Sequence, residues 1–343
     1  MKKPITLYLL LFCFLYCGTK PEEGEIGFSN AERIEEIYPL LNINNPSTIV
    51  MDSQRVYNED GATVKLFKRS DFKYVRTIGR EGQGPGEFQD SATPQILPSM
   101  LLVSSSNKIS FFTLSGEFIE DKKHTFYGST LKAINNKYVG YDWVFEEDYV
   151  AYYLYDSDFK PIKELHRGKA IRHPNGRRDL FEIFFYDTYK DKIVVAQRGG
   201  FFIDIYDSEG NIIFSIKHEV KSVPFTNEDR ERVIQYWKEE RGFEQWQIES
   251  LEKSTNFPGF YPPIHTCRLA DGKIYVITYG KRDDKFECLI FNLEGKYIKK
   301  TDIPLNMLAP NLASPFTLYG SNLYQLIYSM EDDGWKLHVN RID

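Results

Sequence analysis

Cysteine is scarce in this chain: there are 4 in 343 residues, and two of them, Cys13 and Cys17, fall within the first seventeen positions. Only Cys267 and Cys288 remain for the body, which excludes a disulfide framework. Histidine is nearly as sparse, at 6. No H-E-x-x-H, H-x-x-E-H, paired C-x-x-C, G-x-S-x-G or EF-hand pattern occurs, so no motif selects a metal, a cofactor or a nucleophile. Basic charge is also short. Against 49 Asp and Glu stand 43 Lys and Arg, a formal charge of −6. That balance excludes the basic footprint a general nucleic-acid binder needs to displace counterions, and it excludes electrostatic adhesion to anionic lipid. With 5 Met and 4 Trp, the apolar weight falls on 23 Tyr and 25 Phe. Tyr and Phe suit a pleated, half-buried surface and point to strands.

The long apolar run is at the N-terminus. Lys2 and Lys3 precede Ile5 to Tyr16, and Gly18-Thr19-Lys20-Pro21-Glu22-Glu23 ends the run. About twelve apolar residues are too few for a comfortable membrane span but fit the core of a signal peptide. Loss of the two lysines with this leader takes the formal charge to −8. Cys17, at the end of the run, resembles the lipidated cysteine of a bacterial lipoprotein signal, although Tyr16 stands where a small residue is usual. Ordinary secretion and an uncleaved anchor are the alternatives. The expectation is residues 1–17 as leader, 18–27 as tether and 28–343 as one domain, exported and held at the cell envelope by lipid on Cys17.

The body repeats. A strand ending in an aromatic, a turn rich in Asp or Gly, and a second strand recur as Phe112-Thr113-Leu114-Ser115-Gly116, Leu154-Tyr155-Asp156-Ser157-Asp158, Ile205-Tyr206-Asp207-Ser208-Glu209-Gly210 and Ile290-Phe291-Asn292-Leu293-Glu294-Gly295. A version of the motif around Asp71 comes first. From Asp71 the turns are spaced by about 45, 42, 52 and 85 residues, and one four-stranded propeller blade takes about that many. The long interval is one blade plus an insertion. A sixth unit, Asn322–Ile342, stops without its outermost strand, and residues 33–40 read like the missing one. The expected fold is all-β: a six-bladed β-propeller whose last blade is closed by the N-terminal strand. Cys267 and Cys288 then fall on two strands of one blade with a third between them, about 9–10 Å apart and too far to bridge.

Gly79-Arg80-Glu81-Gly82-Gln83-Gly84-Pro85-Gly86-Glu87-Phe88 resembles the glycine-rich signature of NHL-type six-bladed propellers, a form shared by bacterial lipoproteins with a single such domain. It implies a turn from one blade's outer strand to the next blade's inner strand, anchored by Phe88. No helix and no Lys-Ser/Thr pair follow, so it is not a phosphate loop.

Helix chemistry replaces alternation from about 226 to 253. Thr226 and Asp229 form a capping pair, and Val233, Ile234 and Trp237 make an apolar stripe. Gly242 breaks the run, and Phe243, Trp246, Ile248 and Leu251 resume it. Strand parity puts this insertion, the glycine-rich loop and the arginine-rich loop around Arg172, His173, Arg177 and Arg178 on one face. Long loops gathered on a rigid scaffold are where binding sites sit. The arginines suit an anion or equally the acidic turns beside them. Tyr261 and His265 enter an inner strand, facing the channel or serving structure. The reading is a non-catalytic, monomeric binding module, its candidate contacts Arg80, Gln83, Arg172, His173, Arg177, Arg178, Trp237, Trp246, Tyr261 and His265. Its partner would be an envelope protein, a peptide or a small molecule. A metal-assisted hydrolase or lyase at the channel mouth is the alternative.

Overall fold

Short runs of β-branched and aromatic residues separated by Asp, Asn and Gly turns assemble, among the described residues, into six four-stranded antiparallel sheets. The computed structural model describes residues 35–40, 42–106, 108–124, 130–144, 146–147, 149–170, 176–181, 185–197 and 199–342. The leader, Cys17, the 18–27 tether, Arg172 and His173 lie outside the described residues. Blade 1, from the inside outwards, is Pro46–Met51, Arg55–Asp60, Thr63–Lys68 and Tyr74–Ile78. Blade 2 is Thr93–Ile96, Met100–Ser104, Lys108–Thr113 and Phe118–Lys123. Blade 3 is Lys132–Ile134, Lys137–Val144, Tyr149–Tyr155 and Pro161–Ala170. Blade 4 is Phe185–Tyr189, Lys192–Gln197, Phe202–Asp207 and Ile212–Lys217. Blade 5 is Thr266–Ala270, Lys273–Arg282, Lys285–Asn292 and Tyr297–Ile303.

Blade 6 is built from both ends of the described chain. Phe316–Tyr319, Asn322–Ser329 and Gly334–Arg341 are completed by Glu35–Pro39, which pairs antiparallel with Gly334–Arg341. Ile37 lies opposite His338, and Leu40 N–H donates to Trp335 O at 2.9 Å. The innermost strands of blades 6 and 1 are neighbours, as are those of blades 3 and 4, 4 and 5, and 5 and 6.

The repeated turn has a local cause. Asp156 Oδ1 accepts from the N–H groups of Asp158 and Lys160, both at 2.9 Å. Asp207 does the same for Glu209 and Asn211, and Asn292 for Glu294 and Lys296. A short side-chain acceptor thus replaces backbone bonds that the reversal leaves open. The tyrosines serve the next level. Tyr57 hydroxyl donates to Leu114 O at 2.7 Å and Tyr206 hydroxyl to Leu165 O at 2.9 Å, each reaching the adjacent blade. Their rings fill the space between sheets while the hydroxyl satisfies a neighbouring carbonyl. Six apolar clusters result, one between each pair of adjacent blades. Cys267 and Cys288 are free and buried on the first and third strands of blade 5, as expected, and burial pushes the Cys267 thiol up to about 12.

The insertion is two helices, α1 (Asn227–Glu239) and α2 (Gln245–Ser254). Thr226 caps α1 in a reciprocal box with Asp229, and the two helices bury Val233 and Ile248. In the glycine-rich loop Gly79 has φ +71°, and a Cβ there would stand 2.3 Å from the Phe88 ring. Phe88 is wholly buried between blades 1 and 2. Glu87 accepts from Gly84 N–H at 2.8 Å and from Arg80 Nε at 2.6 Å, bonds that hold its carboxyl below the usual range.

Candidate ligand cavity on the propeller axis

The innermost strand of blade 3 is only three residues long and covers its neighbour no further than Val139. The second strand runs on to Val144, so Tyr141 and Trp143 have no strand of their own blade between them and the axis. They become a wall. With them, a cavity of about 920 Å³ opens along the axis, lined by all six inner strands and extended sideways between blades 3 and 4 by Tyr152, His166, Arg167, Phe181 and Tyr186. That volume is in the range of small-molecule sites.

The loops that enter the inner strands form its rim. Arg178–Asp179 pairs in parallel with Thr255–Asn256, at the end of the insertion, and Asn256 Nδ2 donates to Asp179 Oδ1 at 2.7 Å. The neck of the insertion is zipped by Phe225 N–H to Gly259 O at 3.1 Å and Tyr261 N–H to Val223 O at 2.9 Å. Phe181, Phe225, Tyr261 and Tyr279 cluster beneath it, Tyr261 and Tyr279 stacked at 4.2 Å. Pro258, Phe260 and Pro262 reach the cavity from this neck.

Three charged side chains from the inner strands of three adjacent blades meet on the cavity wall. Asp187 of blade 4 has Oδ1 at 3.3 Å from Lys132 Nζ of blade 3, and its Oδ2 accepts from Leu269 N–H of blade 5 at 3.3 Å. Arg268 of blade 5 lies over Phe316 of blade 6 at 5.0 Å and over Phe185 of blade 4 at 5.6 Å. Its Nη1 donates to Thr266 Oγ1 at 2.9 Å and Cys267 O at 3.0 Å. Desolvation lowers the pKa of this guanidinium, and Asp187 opposes the shift. Flanking aromatics suit a guanidinium, whose faces are weakly hydrated.

A second polar chain ends at His166. Ser215 Oγ donates to Asp204 Oδ1 at 2.5 Å, Gln197 Nε2 donates to Asp204 Oδ2 at 3.0 Å, and the same nitrogen lies 3.3 Å from His166 Nδ1. With the amide donating, Nδ1 accepts and the ring proton sits on Nε2. Burial lowers the His166 pKa, although Asp204 and Glu164 act the other way. Among the described residues no group of three or more His, Cys, Asp or Glu is placed to hold a metal ion.

The described residues among those expected from the sequence fall into four places. Arg80 and Gln83 are exposed on the glycine-rich loop, Arg80 tied to Glu87, and neither lines the cavity. Arg177 is exposed at the rim, and Arg178 stacks on the outer side of the wall, 4.9 Å from the Trp143 ring centre. Trp237 packs on Phe257, while Trp246 is 66% exposed and bonded to Glu244. Tyr261 and His265 do not line the cavity: Tyr261 turns towards Asp229 and the aromatic cluster, and His265 is buried against Tyr279 and Phe286.

Lys132, Tyr141, Trp143, Tyr152, His166, Asp187 and Arg268 were not singled out by the sequence. Arg268 carried a usable signal, a charge inside the otherwise apolar inner strand Thr266–Ala270. For Lys132, Tyr141 and Trp143 the signal is a three-residue strand that periodicity does not detect.

The DUF5128 family, described as a 6-bladed beta-propeller, matches residues 41–170. No curated protein matches the chain. Among solved structures, a Bacteroides fragilis NCTC 9343 protein described as exported aligns at 10% identity and TM-score 0.59, over 91% of this chain and 95% of that one. A DUF4221 member from Bacteroides vulgatus aligns at 12% identity and TM-score 0.52, over 90% of this chain and 96% of that one. At such identities the likeness is one of fold, and that fold, in this chain, is the all-β six-bladed propeller.

Proposed function

We propose that this chain is an exported binding module that holds a small organic molecule in the axial cavity. The observation that carries this reading is the cavity itself: aromatic walls from Tyr141, Trp143, Phe185 and Phe316 around a few convergent polar groups, on six rigid strands. Apolar walls with sparse, fixed polar anchors are the usual composition of such sites. The leader supports export, and the likeness to a protein described as exported agrees with it. Lipid attachment at Cys17 would tether the module at the envelope, in keeping with the NHL-type signature at 79–88.

The test is a ligand-observed NMR screen of small polar and aromatic metabolites against the folded protein and a Thr317→Trp variant. Thr317 is half-buried on the cavity wall, and the indole would fill the space. Compounds that bind the parent and are lost in the variant support the reading. Binding that is equally strong in both would overturn it and move the site to the insertion face.

A further inference from the structure

We propose that the axial cavity selects a monocarboxylate and that Arg268 receives the carboxylate group. This rests on the reading of the cavity as the binding site and adds the class of ligand.

Two features meet at Arg268, a local excess of positive charge and an unused pair of donors. Lys132 and Arg268 face one carboxylate, Asp187, on the inner strands of blades 3 to 5, a local excess of one positive charge at these three side chains. Of the other charged wall residues, Arg167 is paired with Glu164 and Glu147, while Asp179 at the rim accepts from the neutral amide of Asn256, which does not offset its charge. Lys132 and the Leu269 N–H occupy the Asp187 oxygens. Arg268 spends only Nη1, on Thr266 and Cys267; its Nε and Nη2 make no hydrogen bond among the described residues. Those two nitrogens are one edge of the guanidinium fork, the edge that matches the two oxygens of a carboxylate. A half-buried cation that keeps an unused pair of parallel donors is costly until an anion arrives.

The charge count also sets the valence. The local excess of one positive charge balances a monoanion; a phosphate dianion would leave net negative charge beside Asp187, and the Asp179 carboxylate at the rim adds to that cost. On the opposite wall Gln95 Oε1 is buried and accepts no hydrogen bond. A hydroxyl on the same ligand would satisfy it. The carboxylate could therefore belong to a hydroxylated sugar acid or to a hydroxylated aromatic acid, both of which carry a ring for Tyr141 and Trp143.

The experiment titrates two matched pairs by calorimetry: glucuronate against glucose, and 4-hydroxyphenylacetate against its amide. The proteins are the parent, Arg268→Gln, Arg268→Lys, Asp187→Asn and Thr317→Trp, each checked for the parent's thermal transition. The expected result is at least tenfold tighter binding of one acid than of its neutral partner. Arg268→Gln should erase that preference, and Arg268→Lys, which keeps charge but not the fork, should reduce it. Asp187→Asn should strengthen acid binding, a gain that simple structural damage would not produce. Equal binding of acid and neutral partner, retention of the preference in both Arg268 variants, or no saturable binding of either acid at millimolar concentration overturns the proposal. If other ligands are still displaced by Thr317→Trp, the cavity reading survives that outcome. If acid binding is lost in Arg268→Gln but untouched in Thr317→Trp, it is the cavity reading that fails.

Discussion

His166 carries the clearest pH signature at the scale of single residues. Its folded pKa is lowered, chiefly by burial. Below the unfolded value near 6.5 the unfolded chain takes up a proton that the folded one resists, so stability falls as pH falls. One such group contributes at most about 1.4 kcal/mol per pH unit. Replacing His166 by Gln should leave stability at pH 8 little changed and flatten the decline between about pH 6.5 and the lowered folded value, as read from urea midpoints across that window. A variant that keeps the full slope would assign the decline to other groups. Residue chemistry alone did not point to His166, because what lowers its pKa is the packing of blades 3 and 4, and its tautomer is set by Gln197, thirty-one positions away.

Elements were easier to read than residues where the backbone has a local reason for its shape. The Asp and Asn turns, the Thr226 cap and the glycine-rich loop each announce themselves within ten residues. In that loop the sequence also indicated which residue anchors it. Phe88 is wholly buried, so Phe88→Ala should cost about 3–5 kcal/mol. Gly79→Ala should be destabilising by a different route, since its positive φ and the 2.3 Å approach of the Phe88 ring leave no room for a Cβ. Arg80→Ala, on an 80% exposed side chain, should change stability by less than about 1 kcal/mol. Denaturant midpoints for the three variants test the ranking, and an Arg80 effect as large as that of Phe88 would refute it. The innermost strands were illegible for the opposite reason. Lys132–Ile134 and Thr93–Ile96 are too short for a period of two to emerge, and they owe their conformation to the ring around them. The cavity is built on those strands, which is why its lining could not be read.

At the scale of the whole molecule, the last blade matches the other five only if a fourth strand is supplied to it, leaving a short outer edge in place of a long unpaired one. Here completion depends on five residues, Glu35–Pro39, laid along Gly334–Arg341. Around them Leu40 is buried and Tyr38 packs on Phe72 of blade 1 at 4.6 Å. This strand therefore joins blade 6 to blade 1 as well as covering an edge. Burial of Leu40 is worth about 2–3 kcal/mol, and each backbone bond in the ladder adds about 1 kcal/mol. Together these approach the total stability of an ordinary domain, about 5–15 kcal/mol. A chain beginning at residue 42 should consequently unfold at much lower denaturant than one beginning at residue 33, and should self-associate through the exposed 334–341 edge. A synthetic peptide of residues 33–42 added in trans should restore the midpoint in a concentration-dependent way, because it binds only the folded ring. If the shorter chain instead unfolds at the same midpoint and stays monomeric, the strand is a covering and not a closure. The cavity gives the same experiment a second readout. Its walls come from all six inner strands, so ligand binding should weaken in the shorter chain and recover with the peptide.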